Sequence, residues 1–262
     1  MDASEPQFLE MGEGRKARRI AYRLTPNGAS AGVQLLWLPG FLSDMASTKA
    51  GVLADWAGGR GLPMLRFDYS GHGLSGGALF EATIGDWLHE AQSMLALMPA
   101  QPTIVVGSSM GGWLTLLLAR KIVEAGNGAR LAGLVLIAPA WDMTEILMWR
   151  ELPEEAHVAI EQKGVIYIPS DYGDPYPITK ILIEEGRAHL FEGAPFDPGC
   201  PVRILQGMRD TDVPWRHALA LVDLLEGDDV ELTLIKDAGH RQSEPDDLRR
   251  LEATVAALAA EV

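Results

Sequence analysis

Two textures alternate along the chain: short apolar runs rich in Val, Ile and Leu, and longer segments whose apolar residues recur at helical spacing. The runs at Ala17–Leu24, Val33–Leu38, Leu62–Phe67, Thr103–Val106, Leu131–Ile137, Val202–Gln206 and Glu231–Ile235 predict strands. In the first, charged and apolar residues interleave, as at a sheet edge. Several of the others are apolar nearly throughout, as strands covered on both faces by helices are. Helical spacing predicts helices over Thr48–Ala57, Thr83–Met98, Gly111–Glu124, Trp215–Leu225 and Pro245–Ala260. Ahead of the last, Ser243 stands as a cap before Pro245, and Leu248, Leu251, Val255 and Leu258 fall on one face. Strand and helix in alternation predict an α/β fold with a mostly parallel central sheet and helices on both faces.

The alternation breaks once, from about Trp141 to Pro198. Trp141, Met143, Ile146, Leu147, Met148 and Trp149 come first, then a helix opened by Pro153-Glu154-Glu155. A Tyr/Pro-rich turn from Tyr167 to Pro177 and a second helix from Ile178 to Leu190 follow. The stretch is too long for an ordinary connection. It reads as a small, mainly helical cap or lid over residues 141–198, inserted into a core made of residues 1–140 and 199–262.

Composition narrows the function classes. Hydrophobic residues make up 47% of the 262, enough for a large core and too many for a disordered chain. The 36 acidic and 22 basic side chains give a net charge of −14, which argues against nucleic acid as a partner, because a phosphate backbone needs a basic surface. Cys200 is the single cysteine, so intramolecular disulfides and multi-thiolate metal sites are excluded. The amino terminus, Met1-Asp2-Ala3-Ser4-Glu5-Pro6, lacks the basic and apolar segments of a secretory signal, and its acids do not suit a mitochondrial presequence. No apolar run reaches the roughly 18 residues of a membrane span. The expectation is a soluble, cytoplasmic protein of undetermined oligomeric state.

The sharpest chemical signal is Gly107-Ser108-Ser109-Met110-Gly111-Gly112, between the strand ending at Val106 and an apolar helix. It fits the G-x-S-x-G pattern in the context the pattern needs, a strand, a sharp turn and a helix. Ser109 is the candidate nucleophile. Ser108 fails the same test, since Val106 and Met110 would take its glycine positions. A serine hydroxyl needs a base, and the base needs an acid to hold its tautomer. Of the histidines after Ser109, His157 and His189 lie in the insertion and His217 in a helix. His240 alone follows a strong strand through a turn, Asp237-Ala238-Gly239, and is the candidate base. Two carboxylates compete for the acid in the turn Met208-Arg209-Asp210-Thr211-Asp212-Val213-Pro214. Asp210 is favoured by its place just past the strand, while Asp212 has the alternative role of capping the next helix. Donors for an oxyanion are expected from the backbone N–H of Met110, at the helix start, and of Phe41, in the loop Pro39-Gly40-Phe41-Leu42-Ser43. His72, between two glycines in Asp68-Tyr69-Ser70-Gly71-His72-Gly73-Leu74-Ser75, precedes the nucleophile and reads as part of a structural turn that braces the site. No cluster has metal-ligand spacing and no Gly-rich loop has a nucleotide-binding pattern, so neither metal nor cofactor is expected.

Together these residues resemble the α/β-hydrolase superfamily from about Val33 to the carboxyl terminus. The runs Leu38-Pro39-Gly40-Phe41-Leu42-Ser43, Arg66-Phe67-Asp68-Tyr69-Ser70-Gly71, Gly107 to Trp113, Gly207-Met208-Arg209-Asp210 and Val213-Pro214-Trp215 are similar to the subfamily of the mitochondrial palmitoyl-protein thioesterase that also acts as an acyl-glucuronide esterase. The resemblance implies a Ser109, Asp210 and His240 triad that cleaves acyl thioesters or carboxylic esters, with a small-molecule ester, an acyl thioester or an S-acylated protein as substrate. The oxyanion loop departs from the superfamily's common His-Gly by reading Pro39-Gly40. Three alternatives stay open at this stage: a general short-chain carboxylesterase, a non-catalytic ligand-binding protein on the same fold, and an enzyme using the same triad for another reaction, such as carbon–carbon bond hydrolysis or perhydrolysis. In the leading reading, Trp141, Met143, Leu147, Met148 and Trp149 would face an acyl chain, unless they pack the insertion onto the core.

Overall fold

A computed structural model of the chain describes residues 5–14, 17–25, 32–170 and 173–262. Met1 to Ser4 of the amino-terminal reading, and residues 171–172 of the Tyr/Pro-rich turn, lie outside them. The strands are β1 (Gln7–Met11), β2 (Arg18–Leu24), β3 (Gln34–Leu38), β4 (Met64–Phe67), β5 (Thr103–Ser108), β6 (Leu131–Ile137), β7 (Val165–Ser170), β8 (Gly173–Thr179), β9 (Val202–Gly207) and β10 (Val230–Ile235). The helices are α1 (Thr48–Gly58), α2 (Ile84–Leu97), α3 (Met110–Glu124), α4 (Glu154–Lys163), α5 (Lys180–Gly186), α6 (Trp215–Leu224) and α7 (Pro245–Ala259).

Among the described residues, eight strands form one sheet in the order β1-β2-β4-β3-β5-β6-β9-β10. The six from β4 to β10 run parallel to their neighbours, and β1 and β2 are antiparallel additions at one edge. Period-two alternation sorts each buried strand onto two faces. In β3, Leu36 and Leu38 join a cluster with Trp87 of α2, Trp113 and Leu117 of α3 and Leu221 of α6. Leu35 and Trp37 point the other way, to Leu53 and Trp56 of α1 and Leu251, Val255 and Leu258 of α7. Val105 with Leu136 and Val106 with Val135 repeat the division in β5 and β6, which is why the middle positions of these strands are apolar on both faces.

Three local expectations are corrected. β2 is not the edge strand, because β1 pairs along it from Gln7↔Tyr22 to Met11↔Arg18. The edges are β1 and β10, and β10 keeps no fully buried residue. The cap of α7 is Glu244, not Ser243. Glu244 and Asp247 form a reciprocal capping box, while the Ser243 hydroxyl donates to the Arg241 carbonyl. The Tyr/Pro-rich turn is an antiparallel pair, β7 with β8, whose register runs from Val165↔Thr179 through Ile168↔Tyr176. Pro177 is tolerated there because a two-stranded pair leaves each strand an unpaired side.

Between β6 and β9 the chain also forms a π-helical turn at Thr144–Met148 and a 3-10 turn at Trp149–Glu151 before α4. Trp141, Met143 and Met148 are buried in the same cluster as α2 and α3, and Leu147 and Trp149 pack against it. These side chains serve to pack the segment on the sheet's helical layer. Ile160, Ile178, Leu182 and Ile183 extend that cluster.

Candidate active site

The loops and turns that follow β3, β5, β9 and β10 all leave the carboxyl ends of parallel strands, where open α/β sheets present their ligands. Ser109 caps α3 with φ 55° and ψ −119°, a strained left-handed conformation for a residue with a side chain. Three backbone bonds hold it there. Its N–H donates to the Ile137 carbonyl at 2.8 Å, and its carbonyl accepts from Gly112 at 2.8 Å and from Ala140 at 3.1 Å. The flanking glycines are steric necessities. A Cβ on Gly107 would run into the Gly111 carbonyl and Thr115 Oγ1, and one on Gly111 would run into the Leu38 and Pro39 carbonyls.

His240 Nε2 lies 3.1 Å from Ser109 Oγ, and His240 Nδ1 lies 2.8 Å from Asp210 Oδ2. Asp210 Oδ1 accepts the N–H groups of Asp212 and Val213 at 2.9 and 2.8 Å, and Oδ2 also accepts from Gln206 Nε2 at 3.2 Å. A carboxylate so surrounded can only accept, so the proton of the neutral imidazole belongs on Nδ1 and Nε2 is left to accept from the serine. The Asp210 side chain is fully covered, whereas His240 keeps 18% of its side-chain surface exposed. Asp212 does not cap α6, whose cap residue is Pro214; it is exposed and braces Asp210 through its N–H.

Gly40 brings the loop after β3 against the elbow: its backbone stands close enough that a Cβ there would lie 3.3 Å from Ser109 Cβ. Phe41 follows Gly40 in that loop, and Met110 follows Ser109 as the first residue of α3. Neither N–H has a hydrogen-bond partner among the described residues. The Phe41 ring meets His72 at 5.9 Å, Trp87 at 6.0 Å and, across from the sheet, Tyr176 of β8 at 6.0 Å. Burial and the nearby Asp212 carboxylate push the Tyr176 phenol above its ordinary range. Phe80 and Tyr167 make a second, more exposed edge contact at 6.4 Å.

The remaining histidines have other work. His72 is buried, hydrogen-bonds the Ser70 carbonyl through Nδ1 at 3.1 Å, and is held neutral by burial. His157 stacks on Trp149 and bonds its carbonyl at 2.8 Å. His189 pairs with Glu185, which also accepts the Gly85 N–H. His217 stacks on Trp141 at 4.8 Å, and the two exchange side-chain to backbone bonds of 2.9 and 3.0 Å. Burial pushes the Cys200 thiol up to about 12, which keeps it unreactive near neutral pH. Asp210, Asp212 and His240 present ligand atoms within 4.8 Å of one another, but both Asp210 oxygens and His240 Nδ1 are already engaged in the bonds above.

Sequence reasoning missed the Phe41–Tyr176 contact and the part that Gln206 plays behind Asp210. Gln206 carried a signal, a polar residue closing an apolar strand. Tyr176 carried none beyond its place in a Tyr/Pro-rich stretch.

Comparison with known proteins returns one family and several close relatives. A family described as "Serine aminopeptidase, S33", an α/β-hydrolase family, matches residues 34–163. The chain is 35% identical over 238 residues, 90% of its length and 75% of the relative's, to the human protein named "Palmitoyl-protein thioesterase ABHD10, mitochondrial". The solved structure of mouse α/β-hydrolase domain-containing protein 10 superposes with a TM-score of 0.85 at 33% identity, covering 98% of this chain and 99% of that one. A solved protein from Agrobacterium vitis superposes with a TM-score of 0.92 at 40% identity, covering 97% and 98%. These relatives overturn one expectation: the curated ones are named as mitochondrial proteins, so the cytoplasmic assignment drawn from the amino-terminal composition is withdrawn. Among the described residues, no helix is long and apolar enough to cross a membrane.

Proposed function

The chain belongs to the α/β-hydrolase family of these thioesterase relatives, and on that premise we propose that it is a serine hydrolase cleaving acyl thioesters or carboxylic esters through an acyl-enzyme on Ser109. The observation that carries this reading is the unbroken relay from Asp210 Oδ2 through the His240 ring to Ser109 Oγ, set on a strained elbow.

In this mechanism His240 Nε2 takes the Ser109 proton as Oγ attacks the acyl carbonyl, and Asp210 balances the imidazolium charge. The carbonyl oxygen gains negative charge and is met by the N–H groups of Phe41 and Met110, both unpaired before substrate arrives. His240 then returns the proton to the departing thiolate or alkoxide, leaving Ser109 acylated. Water, deprotonated by the same imidazole, attacks the acyl carbonyl and frees the acid and the serine. The segment from 141 to 198 acts as a cap. Tyr176 forms one wall of the approach to Ser109, a reading supported by its contact with Phe41. The printed names of the relatives favour an S-acylated protein or a small acyl thioester as substrate.

A fluorophosphonate probe is expected to label the wild-type chain and to leave Ser109→Ala unlabelled; equal labelling of both would refute the assignment. A kcat/KM panel of short esters, long-chain esters and S-acyl cysteine peptides then identifies the substrate. Rates that rise with acyl length support depalmitoylation, and a preference for short acyl groups makes the chain a general carboxylesterase.

A further inference from the structure

The N–H of Phe41 sits in a loop, residues 39–47, and a donor that stabilises a transition state has to be held still. Two side chains of the β4 segment hold this loop at a single residue. Arg66 Nη1 donates to the Met45 carbonyl at 2.8 Å, and Asp68 Oδ1 accepts the Met45 N–H at 2.6 Å. The second carboxylate oxygen, Asp68 Oδ2, accepts the Leu74 N–H at 2.7 Å from the Gly-rich turn. The Asp68 carbonyl takes the Ser75 hydroxyl proton at 2.6 Å, and that hydroxyl in turn accepts the Ala21 N–H of β2 at 2.8 Å. Gly73, at φ +47°, leaves the space that the Asp68 carboxylate fills; a Cβ there would strike it. Asp68 is 1% exposed.

The turn bonded to Oδ2 also carries His72, whose ring lies edge-on to Phe41. One carboxylate therefore reaches Phe41 by two routes, along the backbone through Met45 and across the ring contact through His72. It makes no hydrogen bond to Ser109 or His240, so it is outside the proton relay. We propose that Asp68 is a positioning residue for the oxyanion donor on Phe41, holding the oxyanion loop and the Gly-rich turn at a fixed separation. The inference rests on the reading of Ser109 as the nucleophile.

An amide cannot replace the carboxylate. Both oxygens accept backbone N–H groups, and in Asp68→Asn the NH2 would face the donor of Met45 or of Leu74, driving one loop away. The test is steady-state kinetics of Asp68→Asn on a p-nitrophenyl ester, with the active sites counted by fluorophosphonate titration so that unfolded molecules drop out. kcat per titrated site should fall about 100-fold, as on losing one oxyanion donor, with KM held within about two-fold. Affinity for an alkyl trifluoromethyl ketone, which forms a tetrahedral adduct, should fall by a similar factor. A residue that only stabilised the fold would lower the titrated fraction and leave kcat per site unchanged, and that result would overturn the proposal. Should Asp68→Asn not fold, Arg66→Met decides. It removes the other hold on Met45 and leaves the Gly-rich turn intact, so kcat per site should drop about ten-fold with KM unchanged, and no drop refutes the role. If the wild type itself is not labelled, the nucleophile reading fails and this one fails with it; a labelled wild type with an unaffected Asp68→Asn sinks the positioning role alone.

Discussion

Asp210→Asn isolates the acid from everything else in the relay. The substitution keeps size and shape, and the amide can satisfy the Asp212 and Val213 N–H donors only by turning its oxygen toward them. Its NH2 then occupies the place of Oδ2, facing Gln206 Nε2 and His240 Nδ1. Two donors cannot share that position, so the imidazole moves its proton to Nε2 and presents Nδ1 as an acceptor. The histidine then offers an N–H to Ser109 Oγ, 3.1 Å away, and cannot take its proton. A base held in the wrong tautomer costs about ten-thousand-fold in kcat, or about 5.5 kcal/mol of transition-state stabilisation. Mispairing with Gln206 adds about 1–3 kcal/mol of lost stability, small against the kinetic effect. The assay is kcat on a p-nitrophenyl ester per titrated active site, with thermal unfolding alongside. An Asp210→Asn enzyme within ten-fold of wild type would refute both the assignment of Asp210 and the tautomer argument. Asp212→Asn is the control: its side chain is exposed and the substitution keeps the N–H that donates to Asp210, so activity should change less than about three-fold.

Two further predictions concern the frame around the site. Gly111→Ala places a methyl group against the Leu38 and Pro39 carbonyls, both main-chain atoms that cannot swing aside. It should cost at least about 3 kcal/mol and lower Tm by roughly 6–12 °C, and a Tm within 2 °C of wild type would contradict the packing of the elbow. His217 is the buried titrating group behind Trp141, and burial lowers its pKa from 6.5 to about 4. The folded state therefore binds fewer protons than the unfolded chain between these values. The contribution is fully present above pH 6.5 and is lost as pH falls through 4, a change of about 3 kcal/mol. In urea denaturation at pH 7 and at pH 4.5, His217→Gln should lose less stability on acidification than wild type, and equal losses would refute the linkage.

The parts of the site that sequence made legible are those announced by their own neighbours. Ser109 stands between two glycines at the end of an apolar strand, and His240 and Asp210 each follow a strand by a few residues, so local pattern and chain order were sufficient. The mostly parallel sheet and the two-faced core follow from the same alternation. What was not legible depends on residues far apart in the chain. β1 is five residues with polar Gln7 and Glu10 among apolar ones, too short for a pattern to stand out, and it acquires meaning only by pairing with β2. The β7–β8 pair contains three prolines, Pro169, Pro175 and Pro177, which argue for a turn until a partner strand supplies the hydrogen bonds. Asp68 reads as one polar residue in a glycine-rich turn. Its role appears when Met45, distant in sequence, donates to it.

The segment between β6 and β9 is tied shut at its neck. Asp142, the residue after Trp141, accepts the N–H groups of Phe191 and Glu192 at 2.8 and 3.1 Å, so the two ends of a long excursion are laced to each other before the chain rejoins the sheet. The spacing of β6 and β9, and with it the aim of Ser109 and Asp210, is therefore held by bonds at the neck itself. Its exposed positions can change, and the chemistry of the approach with them, while the strands below keep their register. Descendants of this fold can diversify what they admit without renegotiating how they cut it.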